Sequence, residues 1–124
     1  MPSIAIIGAS PNRQKFGNKA VRAYVQQGYT VYPVHPSEAM IEGQKAYPTI
    51  TDVPRTPDFA SLYVPPAIGI TLLDALAAKG VTTMYVNPGA ESAELVARAM
   101  ELGLKPILAC SIRAIGIDPA TLSA

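Results

Sequence analysis

The stretch IAIIGASPNRQKFGNKAVRAYVQQG, from Ile4 to Gly28, decides how the rest of the chain is arranged. It begins with four apolar residues typical of a buried strand and continues through a turn that contains three small residues, Gly8, Ala9 and Ser10. An amphipathic segment follows and stops at a glycine, as helices commonly do. A strand, a short turn and a helix in this order open a strand-helix-strand unit, so we expect a parallel sheet.

The same pattern of helix, glycine and strand recurs along the chain, at Gly28, Gly80 and Gly103. The predicted strands are 4–7, 30–34, 59–64, 82–86 and 107–109, with a short edge strand near 46–47 and a helical turn near 51–53. The helix faces predicted to pack on the sheet are Ala20, Val21, Tyr24 and Val25; Ile68, Leu72, Leu73 and Leu76; and Leu95, Val96, Ala99 and Met100. Because the strands are largely apolar, we expect them to be buried on both faces. The sequence therefore predicts an α/β fold, a three-layer, doubly wound and mainly parallel sheet.

Length and composition limit the possible classes of protein. The chain has 124 residues and is 49% hydrophobic, which predicts one domain, residues 1–124, with a sizeable core. No apolar run approaches the roughly 20 residues of a membrane helix, and no secretory signal is visible, so we expect a cytoplasmic protein without membrane contact. Because the chain has one cysteine, Cys110, and one histidine, His35, we expect no metal site.

The charges are unevenly distributed. Arg13, Lys15, Lys19 and Arg22 are the only charged residues before Glu38, so the first 37 residues carry four positive charges and no negative ones. This favours an anionic ligand at the turn, where the start of the helix also attracts anions. Nucleic acid is disfavoured, because the net charge is only +1 and few aromatic residues are present to stack on bases. Arg22 lies farther from the turn, and we expect it on the solvated surface.

Four loops follow the predicted strands, and the carboxyl ends of parallel strands meet at one rim of the sheet. These loops are rich in glycine and proline: 8–10, 33–36, 63–66 and 87–89. Such residues fix the backbone and reduce the ordering cost of binding. We expect the rim to bind a long, thin molecule.

A dinucleotide is one candidate ligand, but its fingerprint is missing. That fingerprint requires G-x-G-x-x-G and an acidic residue at the end of the second strand, where it binds the ribose hydroxyls. Here the turn is Gly8-Ala9-Ser10, the next glycine is Gly17, and the second strand ends at His35. The absence of an acid suits a ribose that carries a phosphate, which Arg13, Lys15 and Lys19 could attract.

Taken together, these motifs resemble those of the small single-domain CoA-binding proteins, which are similar to the amino-terminal domain of the succinyl-CoA synthetase alpha subunit. The resemblance rests on the following motifs: IGASPNR (7–13) with KFGN (15–18), GY (28–29) followed by VYPVHP (31–36), EG (42–43) through YP (47–48), YVPP (63–66), NPGAES (87–92) and CS (110–111). It implies a Rossmann-like domain that holds coenzyme A. The implied phosphate ligands are Gly8, Ala9, Ser10, Arg13, Lys15 and Gly17; Val34, His35 and Pro36 would contact the adenosine; Val64, Pro65, Pro66, Asn87, Pro88 and Gly89 would contact the pantetheine arm. The sequence departs from the commonest form of the family at His35, where Val-Asn-Pro is usual.

The resemblance implies a binding module for CoA or an acyl-CoA with no catalytic residues and no metal. The alternative is a nucleotide-dependent enzyme, either an NAD(P)-dependent oxidoreductase or a hydrolase that uses His35 as a base. An interaction subunit, with a protein partner or a second copy of the chain, is a third hypothesis. We expect Cys110 to pack as a small hydrophobe, with a mixed disulfide to CoA as the other hypothesis.

Overall fold

A computed structural model of the protein describes residues 2–122. The sheet strands alternate with helices as expected. In chain order the elements are β1 (Ser3–Ile7), α1 (Phe16–Gln26), β2 (Thr30–Val34), β3 (Met40–Ile41), β4 (Gln44–Lys45), a 3₁₀ turn (Ile50–Asp52), β5 (Phe59–Leu62), α2 (Pro66–Lys79), β6 (Thr83–Val86), α3 (Ala93–Glu101), β7 (Lys105–Leu108), α4 (Ser111–Ala114) and a second 3₁₀ turn (Pro119–Leu122).

Five strands form one parallel sheet in the order β2-β1-β5-β6-β7, and β3 and β4 form a separate antiparallel hairpin. The chain moves from β1 to one edge at β2 and then crosses back to β5 on the other side of β1. The loops after β1 and β5 therefore leave in opposite directions and open a crevice between them, which is where doubly wound sheets bind ligands.

Two apolar cores lie on the two faces of the sheet. Alternate residues of β1 separate them: Ile4 and Ile6 pack in the core beneath α1, and Ala5 and Ile7 pack in the core beneath α2 and α3. The first core also includes Ile112 of α4. Helices thus cover both faces, which confirms the doubly wound, three-layer α/β fold.

Several predicted strand limits need correction. The strand predicted over 59–64 ends at Leu62, because pairing with β1 stops there and prolines follow shortly after. The strand predicted over 107–109 is Lys105–Leu108, since the amide of Lys105 donates to the carbonyl of Thr82 and starts the pairing earlier. The strand expected near 46–47 is reduced to a single bridge between Tyr47 and Val34.

The predicted burial also needs correction in the last strand and at three residues of the helix faces. The last strand was expected to be buried on both faces, but Ile107 and Leu108 are 39% and 59% exposed, because β7 is an edge strand. Among the helix faces, Val25 and Met100 are exposed. Each follows a buried residue by one position, and one step along a helix turns the side chain by about 100°, away from the sheet. Ile68 is also exposed, in the first turn of α2.

The start of α1 lies in close contact with the turn after β1, and this contact yields a stability prediction. A Cβ atom on Gly17 would lie 2.2 Å from the carbonyl oxygen of Gly8, so Gly17→Ala should lower the free energy of unfolding by about 2 kcal/mol or more, despite the higher helix propensity of alanine. Gly103→Ala is the control, because its Cβ meets nothing within 4 Å and only its φ of +80° is unfavourable, at about 1 kcal/mol. Urea denaturation followed by circular dichroism measures both, and equal losses would contradict the proposed clash.

Candidate functional site

The turn after β1 brings three backbone segments into contact. Gly8 adopts φ +88°, and a Cβ atom there would lie 2.8 Å from the carbonyl oxygen of Tyr63. Gly17 stands against the carbonyl of Gly8 on the other side. Glycine at both positions lets the start of α1 and the loop after β5 approach the end of β1 closely.

Helix α1 begins without a cap. Its N-cap residue is Lys15, no side chain of the described residues accepts from the amides of its first turn, and that turn contains no acidic residue. The first amides of a helix have no partner within it, and cations near this end oppose the helix dipole. Lys15 and Lys19 nevertheless lie here, with the Lys19 ammonium 5.1 Å from the centre of the Phe16 ring. An anion at this position would accept from the free amides and pair with Lys15, which lines the same space.

A buried amide holds the turn in place. The Asn18 side chain is fully buried, and its nitrogen donates to the carbonyl of Ser10 at 2.9 Å and to the Glu42 carboxylate at 3.0 Å. Arg22 in turn donates to the Asn18 oxygen at 2.8 Å and to the carbonyls of Arg13 and Leu122. The prediction that Arg22 is a solvated surface residue is therefore wrong: it ties the turn to the carboxyl-terminal segment.

Arg13 is held beside the turn by an ion pair. Its guanidinium donates to the Glu42 carboxylate at 2.7 Å. Glu42 and Gly43 have φ of +49° and +77°, the two-residue turn of the β3–β4 hairpin. A left-handed glutamate costs about 1 kcal/mol or more, which its contacts with Arg13 and Asn18 offset.

Four cavities along the rim of the sheet are lined by Gly8, by Tyr63 or by both. The cradle, about 390 Å³, is lined by Gly8, Ala9, Ser10, Lys15, Phe16, Gly17, His35 and Tyr63. The apolar slot, about 320 Å³, is lined by Ile7, Gly8, Ala9, Val34, His35, Pro36, Pro48, Thr49, Ile50, Val64, Ile68, Leu72, Ala75 and Leu76. The proline cavity, about 270 Å³, is lined by Leu62, Tyr63, Val64, Pro65, Asn87, Pro88, Gly89 and Ala90. The cysteine cavity, about 210 Å³, is lined by Phe16, Tyr63, Asn87, Pro88, Cys110, Arg113 and Pro119.

The cavities adjoin one another. The apolar slot and the cradle share Gly8, Ala9 and His35, and the cradle and the cysteine cavity share Phe16 and Tyr63. Tyr63 also lines the proline cavity. The rim is therefore a series of adjoining spaces: the apolar slot, the basic cradle and, beyond Tyr63, two branches. One branch, the proline cavity, also meets the apolar slot at Val64.

The structure brings together thirteen of the fifteen predicted site residues in the slot, the cradle and the proline cavity. Arg13 and Pro66 line none of the four cavities; Arg13 faces Glu42, and Pro66 is the first residue of α2. Sequence reasoning missed Phe16 and Tyr63, which line two and three of the cavities. Both residues belong to motifs that carry the family resemblance, KFGN and YVPP, and Tyr63 lies in the predicted rim loop 63–66, but neither was assigned a contact with the ligand.

Comparisons with known proteins give the family of the chain. A profile of the CoA binding domain matches residues 2–115. The chain belongs to the CoA-binding domain family. Within it, the chain is 33% identical over 111 residues to an ADP-forming acetate–CoA ligase II of Archaeoglobus fulgidus, covering 83% of this chain but only 16% of that protein.

Solved structures share the fold of this CoA-binding domain. A protein from Pyrococcus horikoshii OT3 is 29% identical with a TM-score of 0.83, covering 89% of this chain and 78% of that one. The dinucleotide-forming acetyl-coenzyme A synthetase 1 of Ca. Korarchaeum cryptofilum, in complex with phosphate and ADP, is 30% identical with a TM-score of 0.77, covering 87% of this chain and 25% of that one. The chain thus spans a small part of the length of these ligases. Among residues 2–122, no helix is long and apolar enough to cross a membrane.

His35 of this CoA-binding domain is fixed by its own loop. Its Nδ1 accepts from the backbone amides of Ser37 at 3.1 Å and Glu38 at 3.0 Å. The asparagine that the family resemblance leads us to expect at this position has a side-chain oxygen that can accept in the same way. Two donors at Nδ1 leave that nitrogen unprotonated, so the neutral ring carries its proton on Nε2.

A buried hydrogen-bond network lies under the rim. The Ser111 hydroxyl lies 2.8 Å from the hydroxyls of Ser61 and Tyr63. The Asn87 side chain accepts from the Ser111 amide and donates to the Ser61 hydroxyl and to the carbonyl of Leu62. The network joins α4 to the ends of β5 and β6. It fixes Tyr63, whose side chain separates the cradle from the two cavities beyond it.

Burial of Tyr63 predicts a loss of stability at high pH. Burial is the main cause that raises the pKa of Tyr63 from 10.0 to about 12, and the hydrogen bond to Ser111 partly opposes it. Between these values the unfolded chain releases a proton that the folded protein keeps, so the stabilisation is present below pH 10 and is lost as the pH rises toward 12.

We therefore expect the free energy of unfolding to fall less steeply above pH 10 in Tyr63→Phe than in the wild type, because the variant lacks this titration. Urea denaturation at a series of pH values measures the slope. Tyr47→Phe, outside the network, is the matched control. Identical slopes for the wild type and Tyr63→Phe would contradict the assignment.

Proposed function

We propose that this chain binds coenzyme A or an acyl-CoA across the carboxyl ends of its strands and has no catalytic activity of its own. The observation that carries the proposal is the order of the adjoining cavities. An apolar slot, a basic cradle and two narrow cavities follow one another, and the parts of CoA, namely adenine, phosphates and pantetheine arm, follow in the same order.

The slot suits the adenine. Its walls are proline and aliphatic side chains, including Pro36, Pro48, Val64 and Leu72, which can contact a flat base on both faces. We assign Val34, His35 and Pro36 to the adenosine, as the sequence predicts.

The cradle suits the diphosphate. The uncapped amides at the start of α1 lie beside Gly8, Ala9 and Ser10, and Lys15 lines the same space. Backbone amides and a cation at a helix start bind phosphate without further side chains. We assign Gly8, Ala9, Ser10, Lys15 and Gly17 to the diphosphate, with Arg13 approaching it from the side.

The pantetheine arm has two branches available beyond Tyr63. We assign it to the proline cavity, with Val64, Pro65, Asn87, Pro88 and Gly89 along its length and Pro66 at the adjacent helix start. The cysteine cavity is the second branch, and Cys110 is partly exposed in it. The mixed disulfide between Cys110 and CoA stays a hypothesis.

The proposal that the chain has no catalytic activity of its own rests on the residues around the rim. His35 is the candidate base, but its Nδ1 accepts from two backbone amides and so cannot donate to a carboxylate that would orient and polarise the ring. The ligases to which the chain is similar are several times longer, so the CoA-binding domain is one part of them. The cytoplasmic location, the single-domain organisation and a protein partner or second copy stay predictions.

A titration tests the ligand. We expect calorimetry to give micromolar or tighter binding of CoA and much weaker binding of NADPH, because the turn after β1 lacks the G-x-G-x-x-G fingerprint of dinucleotide-binding domains. Acetyl-CoA is the third ligand of the series. Binding of NADPH in preference to CoA would overturn the proposal in favour of the oxidoreductase.

The Ser10 position tests the placement of the diphosphate. The Ser10 hydroxyl accepts from the amide of Asn12 at 3.0 Å, a bond that an aspartate can also accept. Ser10→Asp should therefore keep the turn but weaken CoA binding by roughly tenfold or more, because the carboxylate repels the phosphates.

Ser10→Ala is the matched control for that variant, since it removes the hydroxyl without adding charge. It should weaken CoA binding by about threefold or less, as expected for one lost neutral hydrogen bond. Equal affinities of the wild type and Ser10→Asp, measured by calorimetry, would remove the diphosphate from the cradle.

A further inference from the structure

His35 stands where the apolar slot meets the cradle. The two cavities share Gly8, Ala9 and His35, and His35 is the only one of these with a polar side chain. If adenine fills the slot and the diphosphate fills the cradle, the ribose that joins them lies at this junction. The side chain that faces the ribose is therefore an imidazole.

The hydrogen bonds of the ring leave one donor free. Nδ1 accepts from the amides of Ser37 and Glu38, so the proton of the neutral ring is on Nε2. Within residues 2–122, Nε2 takes part in no hydrogen bond, and it is not a buried atom without a partner. Nε2–H is thus accessible, and the ring is oriented by the loop that follows it.

We propose that the His35 Nε2–H donates to the phosphate on the ribose of CoA and selects phosphorylated over unphosphorylated ribose. The proposal rests on the proposed function and assigns the specificity of the same site. A carboxylate at the end of the second strand accepts from ribose hydroxyls, as in NAD-binding proteins, and would repel a phosphate. An imidazole N–H at that place donates to the phosphate, and Lys15 on the cradle wall adds a positive charge nearby.

The test compares CoA with dephospho-CoA, which lacks only the ribose phosphate. We expect the wild type to bind CoA about tenfold more tightly, the effect of one hydrogen bond to a charged group. His35→Asn keeps an oxygen acceptor for the Ser37 and Glu38 amides but is too short to reach as far as Nε2. In this variant the ratio of the dissociation constants for dephospho-CoA and CoA should fall close to one, and the affinity for dephospho-CoA should stay unchanged within about twofold.

His35→Asp extends the test by placing a carboxylate beside the ribose. We expect it to bind dephospho-CoA more tightly than CoA, a reversal that a merely structural role for His35 would not produce. Lys105→Gln is the control, since it changes the net charge by the same amount at the start of β7, the opposite end of the sheet, and should keep the wild-type preference.

The outcomes separate this inference from the proposed function. If wild-type protein binds neither CoA nor dephospho-CoA in calorimetry, the proposed function fails. If it binds CoA and the His35→Asn and His35→Asp variants keep the wild-type preference for CoA, the binding function stands and the role of His35 is refuted. A loss of affinity for both ligands by the same factor in both variants would also refute it, since His35 would then only support the loop.

Discussion

The site depends on the approach of helix α1 to the end of β1, where a Cβ atom on Gly17 would lie 2.2 Å from the carbonyl oxygen of Gly8. This contact fixes the first amides of the helix directly beside the small residues of the turn. The loop after β5 approaches Gly8 from the other side, where a Cβ atom on Gly8 would lie 2.8 Å from the carbonyl oxygen of Tyr63. A larger residue at either glycine would separate the three segments, and the space between them would lose its walls of backbone amides.

The alternation of strands and helices could be predicted because both leave a periodic pattern in the sequence. Apolar runs such as 4–7 and helix stops such as Gly80 are local signals, and the structure confirms the parallel, doubly wound sheet that they predict. The ends of β5 and β7 were predicted less well, because a strand ends where its neighbour stops pairing, and a neighbour distant in sequence leaves no local mark. The exposure of Ile107 and Leu108 was missed for the same reason: whether a strand is an edge depends on the strand order.

The loops that form the site could be identified from their glycine and proline residues, but the contacts behind them could not. Arg22 is an example. Its spacing on α1 indicated a solvated residue, whereas its guanidinium donates to Asn18 and to the carbonyl of Leu122, a hundred positions away. The Ser61, Ser111 and Asn87 network is another, since three polar residues on separate elements meet only once the sheet has formed. Such pairings depend on tertiary geometry and have no period in the sequence.

The positive charges at the start of α1 can be explained only together with the uncapped backbone amides beside them. Lys15 at the N-cap and Lys19 in the first turn oppose the helix dipole, and the Glu42 carboxylate compensates Arg13 but is not paired with either lysine. Each cation near a helix start is unfavourable by a few tenths of a kcal/mol up to about 1 kcal/mol. A sequence selected for stability alone would place an acid or a serine there. The arrangement becomes favourable when an anion occupies the cradle, because the uncapped amides and the lysines then act on the same charge. The fold thus leaves this helix end without a side-chain cap and holds it in place with Asn18 and Gly17. Under the proposed function, a phosphate of the ligand would replace the missing cap.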